Sequence, residues 1–181
     1  MERRPKTREG GGEMSTSVTT GTVVAEGADI YFERRGSGRG LLLISGGGGD
    51  AGNYSGIADR LADEYTVLTY DRRGNSRSPL RTDPTKLRVE QQSADALAVL
   101  EHNEVRSAAV FGSSSGAVIG LDLAARAPHA VELLVAHEPP VIGVLDDAER
   151  WFAFFDELDR LLEEQGVGPA LMKFMSSVGH A

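Results

Sequence analysis

The sequence predicts an α/β fold, a mostly parallel sheet flanked by helices on both faces and followed by a helical segment. Two observations carry that prediction. From residue 22 onward, short β-branched or aliphatic runs alternate with segments of helical spacing, the order that builds βαβ units. Residues 41–44, Leu-Leu-Leu-Ile, form an unbroken apolar run, as a strand buried on both faces requires.

Residues 1–20 are polar and rich in Gly, Ser and Thr, with no apolar stretch behind the opening charges. They read as a disordered tail and not as a secretory signal. Met14 is a second candidate start. Residues 22–26 and 30–34 are strand-like runs joined through Gly27, which predicts a hairpin. After the run at 41–44, residues 53–64 place Ile57, Ala58 and Leu61 at helical spacing. Strands follow at 66–70, 108–111 and 131–136, and helices at 89–102 (Ala94, Leu97, Leu100) and 115–126. Residues 21–140 therefore read as the core domain.

Residues 141–181 change register. Asp146 and Glu149 form a capping-box pattern, Trp151, Phe154, Phe155, Leu158, Leu161 and Leu162 make one apolar stripe, and Gly166 ends the helix. Pro169 and Gly179 bracket a second, Met-rich helix. Between residues 145 and 165 there are eight acids and two arginines, so −6 of the net charge of −8 lies on the solvated face of one amphipathic helix.

Composition narrows the function. With no cysteine, disulfides, thiolate zinc sites and cysteine nucleophiles are excluded. Four histidines with no pair at i, i+4 argue against a histidine metal site. The net charge of −8 argues against a nucleic-acid partner, whose phosphates need clustered cations. No apolar run is long enough to span a bilayer. The expectation is a cytoplasmic protein with no cofactor, metal, nucleic-acid or membrane partner.

Two glycine-rich loops can carry chemistry. Gly112-Ser113-Ser114-Ser115-Gly116 fits G-x-S-x-G, in which a tight strand-to-helix turn strains the central serine and exposes its hydroxyl at a helix N-terminus. An N-capping serine in a plain loop is the competing interpretation. Ser45-Gly46-Gly47-Gly48-Gly49-Asp50 also joins a strand to a helix. Gly47, Gly49 and Gly52 match the dinucleotide fingerprint, with Asp71 where a ribose-binding acid would stand, so a dinucleotide-binding Rossmann-like module is one reading. The other makes the loop half of an oxyanion hole facing Ser114.

From about residue 22 to Pro140 the chain resembles an α/β-hydrolase. A hairpin, a strand with a Gly-rich loop, a strand ending in Asp71-Arg72-Arg73-Gly74-Asn75-Ser76-Arg77-Ser78, a helix and a nucleophile-elbow motif follow in that family's order. The Asp71 segment resembles D-x-R-G-x-G-x-S, with Ser76 in a glycine's place. Ser45 and Ser113 stand where many members have histidine. The resemblance implies that Ser114 is the nucleophile, that the N–H groups of Gly47 and Ser115 are oxyanion donors, and that residues 141–181 begin a helical cap over the site. It implies a serine hydrolase acting on an ester or similar hydrophobic acyl compound through an acyl-enzyme.

In that family the acid and histidine follow the nucleophile in sequence. The final strands, the usual acid and the catalytic base are not found in these 181 residues, so the sequence resembles a C-terminally truncated hydrolase. Glu138 stands where some members place the acid. Its neighbour His137 should point to the opposite face of an extended segment, and His102, His129 and His180 show no signature of a base. A non-catalytic fragment or partner-dependent subunit is the alternative function. Self-association through an exposed sheet edge is expected as well.

Overall fold

The computed structural model describes residues 17–81 and 87–178. The expectations for most of the N-terminal tail, Gly179 and His180 lie outside these residues. The chain divides after Pro139 into two compact units.

The first unit is a six-stranded sheet in the order β1-β2-β4-β3-β5-β6. Strands β1 (Val18–Ala25) and β2 (Ala28–Arg35) form an antiparallel hairpin turning at Gly27. Strands β3 (Arg39–Ile44), β4 (Tyr65–Tyr70), β5 (Ala108–Ser113) and β6 (Val131–His137) are mutually parallel. Helices α1 (Ser55–Leu61), α2 (Val89–His102) and α3 (Ser115–Arg126) are the crossovers.

The apolar run at 41–44 is unbroken because each of its faces is covered. Leu42 and Ile44 join Leu68, Val99, Leu100, Ile119 and Leu123 in a cluster roofed by α2 and α3. Leu41 and Leu43 face the other way, with Val67 and Ala58 of α1. The pairing of Ile44 with Gly112 and of Ser113 with His137 brings the C-terminal ends of β3, β5 and β6 to one edge of the sheet. Both glycine-rich loops leave from that edge, where ligands bind in open α/β sheets.

Three local expectations are corrected. β1 begins at Val18, inside the stretch read as tail, because residues 18–20 pair with residues 33–35 of β2. The segment read as one helix over 53–64 is a 3₁₀ turn (Ala51–Tyr54) followed by α1. Asp50 caps that turn by accepting from Gly52 N at 2.7 Å. In the second unit, helix α4 (Ala148–Gln165) has Asp147 at its N-cap without a side-chain cap bond, so the Asp146–Glu149 capping box does not form.

The second unit pairs α4 with α5 (Val167–Val178). Trp151, Phe154 and Phe155 stack edge to face at 5.8 and 5.7 Å, and Lys173 is ion-paired with Glu157. Neither helix fully buries a residue, and Phe152, Met172 and Met175 are exposed.

Candidate active site

Ser114 sits at the N-cap of α3 with φ 54° and ψ −124°, a strained conformation for a residue with a Cβ. The turn is held by close approaches on either side. A Cβ on Gly112 would lie 2.4 Å from Gly116 O, and one on Gly116 would lie 2.3 Å from Ile44 O. Only glycine fits either place, which explains the first and last positions of the motif. Ser114 N donates to His137 O at 2.9 Å, tying the turn to the end of β6.

The three serines differ in what their hydroxyls do. Ser113 Oγ lies 3.3 Å from His137 Nδ1, and Ser115 Oγ accepts from Arg72 Nη1 at 2.8 Å. The Ser114 side chain makes no cap bond, so the plain N-cap interpretation of this serine does not hold. All three residues are half-buried, and Ser114 differs from its neighbours in other respects. What distinguishes it is its backbone and its uncommitted oxygen.

The Gly46–Gly49 loop packs against this turn. A Cβ on Gly46 would lie 2.8 Å from Ser113 O and 3.2 Å from Ser114 Cβ, whereas Gly47 has open space around it. Gly48 has φ 82° and Gly49 N donates to Gly46 O at 3.1 Å, a reversal with the φ pattern of a type II turn. Among the described residues, neither Gly47 N nor Ser115 N donates to another protein group. Two free N–H groups border Ser114, an arrangement able to receive an oxyanion.

Asp71 holds the 3₁₀ turn that follows this loop. Its fully buried carboxylate accepts from Ala51 N at 2.8 Å, from Arg77 N at 2.9 Å, and from Arg77 Nε and Nη2 at 2.7 and 2.9 Å. Burial alone would push the carboxyl up; the bonds from Arg77 and the two backbone N–H groups outweigh it and hold it below its ordinary value. Both oxygens are thus occupied and out of reach of a ribose, which removes the support for a dinucleotide site. Ser76, in the place of a glycine, has φ 42°, the region where glycine carries no steric cost.

Sequence reasoning missed Arg72. Its Nη1 donates to Gly46 O at 2.7 Å and Ser45 O at 3.2 Å as well as to Ser115 Oγ, while its Nε donates to Gln92 Oε1 at 2.8 Å. Burial lowers the pKa of this guanidinium from its ordinary value. Its only signal in the sequence was its place in the Asp71 segment.

The expected partners of a nucleophile are not brought to Ser114. His102 packs on Phe32 with ring centroids 5.3 Å apart, and His129 lies in the turn before β6. His137 meets Ser113, and its Nδ1 is 3.9 Å from Glu138 Oε2. The expectation that these neighbours diverge is corrected: Glu138 has φ 49°, which breaks the extended alternation. The Glu138 side chain is mostly exposed. Among the described residues no cluster of three or more metal-ligating side chains occurs, and no helix is long and apolar enough to cross a membrane.

A mostly parallel sheet with a strained serine turn and a Gly-rich loop at its C-terminal edge is the architecture of the α/β hydrolase fold, and the chain belongs to that family, whose model matches residues 41–180. A protein of Bacillus subtilis (strain 168), uncharacterized hydrolase YraK, is 47% identical over 133 residues, 74% of this chain and 49% of YraK. The crystal structure of an alpha/beta hydrolase from Sphaerobacter thermophilus DSM 20745 matches with TM-score 0.69 and 33% identity, over 87% of this chain and 59% of that one. A hydrolase from Pseudomonas aeruginosa PA01, at 22% identity and TM-score 0.60, shares the fold over 89% of this chain and 66% of its own. The chain spans about half the length of YraK.

Proposed function

We propose that this chain carries the nucleophile and oxyanion hole of a serine hydrolase acting on an ester or similar acyl compound. The observation that carries the reading is the strained backbone of Ser114 between two glycines that nothing larger can replace. Its hydrolase-named relatives support the reaction class. Ser114 Oγ would attack the acyl carbon while the Gly47 and Ser115 N–H groups receive the oxygen that becomes negative. Collapse of the tetrahedral species expels the alcohol, leaving the acyl group on Ser114 for water to remove.

One observation favours a second reading, in which the chain is non-catalytic alone or depends on a partner. No imidazole of a described histidine is hydrogen-bonded to the Ser114 hydroxyl, and a serine hydroxyl is a weak nucleophile until a base takes its proton. Losing triad members costs several orders of magnitude, with residual catalysis left to the oxyanion hole. We therefore expect the 181-residue chain to hydrolyse p-nitrophenyl butyrate only slowly, with the acyl group found on Ser114 and no acyl-enzyme formed by Ser114→Ala. An acyl group carried by another residue, or an acyl-enzyme that still forms in Ser114→Ala, would refute the reading.

A further inference from the structure

We propose that Arg72 is the positioning residue of the oxyanion hole, fixing the direction of the Gly47 N–H; the inference rests on the Ser114 reading above. The carbonyl of Gly46 and the N–H of Gly47 belong to one planar peptide unit and point in opposite directions. Arg72 Nη1 holds that carbonyl at 2.7 Å, and Gly49 N holds it at 3.1 Å. The Gly47 N–H is thereby turned away from the guanidinium. A glycine pair resists rotation of its peptide less than any other sequence, and Gly47 has no neighbour within 4 Å of where its Cβ would stand. Without Arg72 only the one turn bond would hold the orientation.

The same Nη1 also holds Ser115 Oγ at 2.8 Å, so one guanidinium fastens the residues that carry both free N–H groups. Its other end is anchored on Gln92 Oε1 of α2 at 2.8 Å. No carboxylate pairs with Arg72 among the described residues, in contrast to Arg73 and Arg77 of the same turn. Its bonds go to carbonyls, a hydroxyl and an amide, the pattern of a group that holds backbone in place and not of an ion pair that ties elements together.

The test follows phosphonylation of Ser114 by an alkyl fluorophosphonate, whose adduct places an oxygen where the oxyanion would sit as fluoride leaves. In the full chain, Arg72→Met should lower the first-order labelling rate at least about 10-fold with reagent affinity within about twofold, since one oxyanion donor is worth about 10²–10³ in rate. Arg72→Lys, able to reach one carbonyl, should recover part of the loss, which a purely structural role would not predict at unchanged melting temperature. An Arg72→Met rate within about twofold of the parent's, with the adduct on Ser114, overturns the proposal. Should Arg72→Met fail to fold, Gln92→Ala, which frees the Nε anchor, must slow labelling at least about threefold, and an unchanged rate overturns the proposal equally. A parent chain that takes no phosphonyl group on Ser114 instead defeats the nucleophile reading, and this inference with it.

Discussion

Ser114 holds a conformation that costs an L-residue about 1–3 kcal/mol, and glycine would relieve it. Ser114→Gly should therefore raise the unfolding free energy in urea by about 1 kcal/mol while abolishing acyl transfer; a loss of stability would show that the strain is not there. Asp71 supports the neighbouring loop electrostatically. Its folded pKa lies below the ordinary 3.8, so its contribution is present above about pH 4 and is lost as the pH falls through the lower folded value. Asp71→Asn should cost about 2 kcal/mol at pH 7 through its charge-assisted hydrogen bonds. It should also flatten the dependence of stability on pH below about 4; parallel curves for the two proteins would contradict this.

Among the elements, the end of β4 is tied to α2 by Arg73 and Asp95, whose bidentate pair at 2.6 and 2.7 Å is almost wholly buried. Arg73→Met leaves a buried carboxylate alone and should cost about 3–5 kcal/mol, whereas the double variant with Asp95→Leu should recover most of that. Non-additive unfolding energies would bear this out, and additive ones would not. Strand β6 pairs only with β5 among the described residues, and Leu133 and Val135 are exposed on it. That edge should drive concentration-dependent association in sedimentation velocity; a monodisperse monomer at high concentration would argue against it. The parallel strands and α2 and α3 were legible because each is specified by its own local pattern. The start of β1 was not, since Val18, Thr19 and Thr20 continue a Ser/Thr-rich stretch and are fixed as strand by pairing with residues 33–35. Nor was the split of residues 51–61, where the Asp50 cap decides the turn.

For the whole molecule, the candidate site was legible as far as it is built from short motifs. Gly112, Ser114 and Gly116 follow from the steric needs of one turn, and the 46–49 loop from one reversal. Arg72 was not legible, because its role arises from three segments that meet only in the fold: the loop after β3, the turn after β4 and the start of α3. The sheet itself rests on its two-sided core, and Leu42→Ala should cost about 2–5 kcal/mol in urea unfolding; a much smaller loss would mean that the two covering layers are not tightly packed. The central claim is that Ser114 is the nucleophile. Peptide mapping by mass spectrometry after fluorophosphonate treatment tests it most directly, because Ser113, Ser114 and Ser115 compete within one molecule. The account predicts a single adduct, on Ser114, that disappears in Ser114→Ala; an adduct on Ser113 or Ser115, or one that persists in the alanine variant, would contradict it.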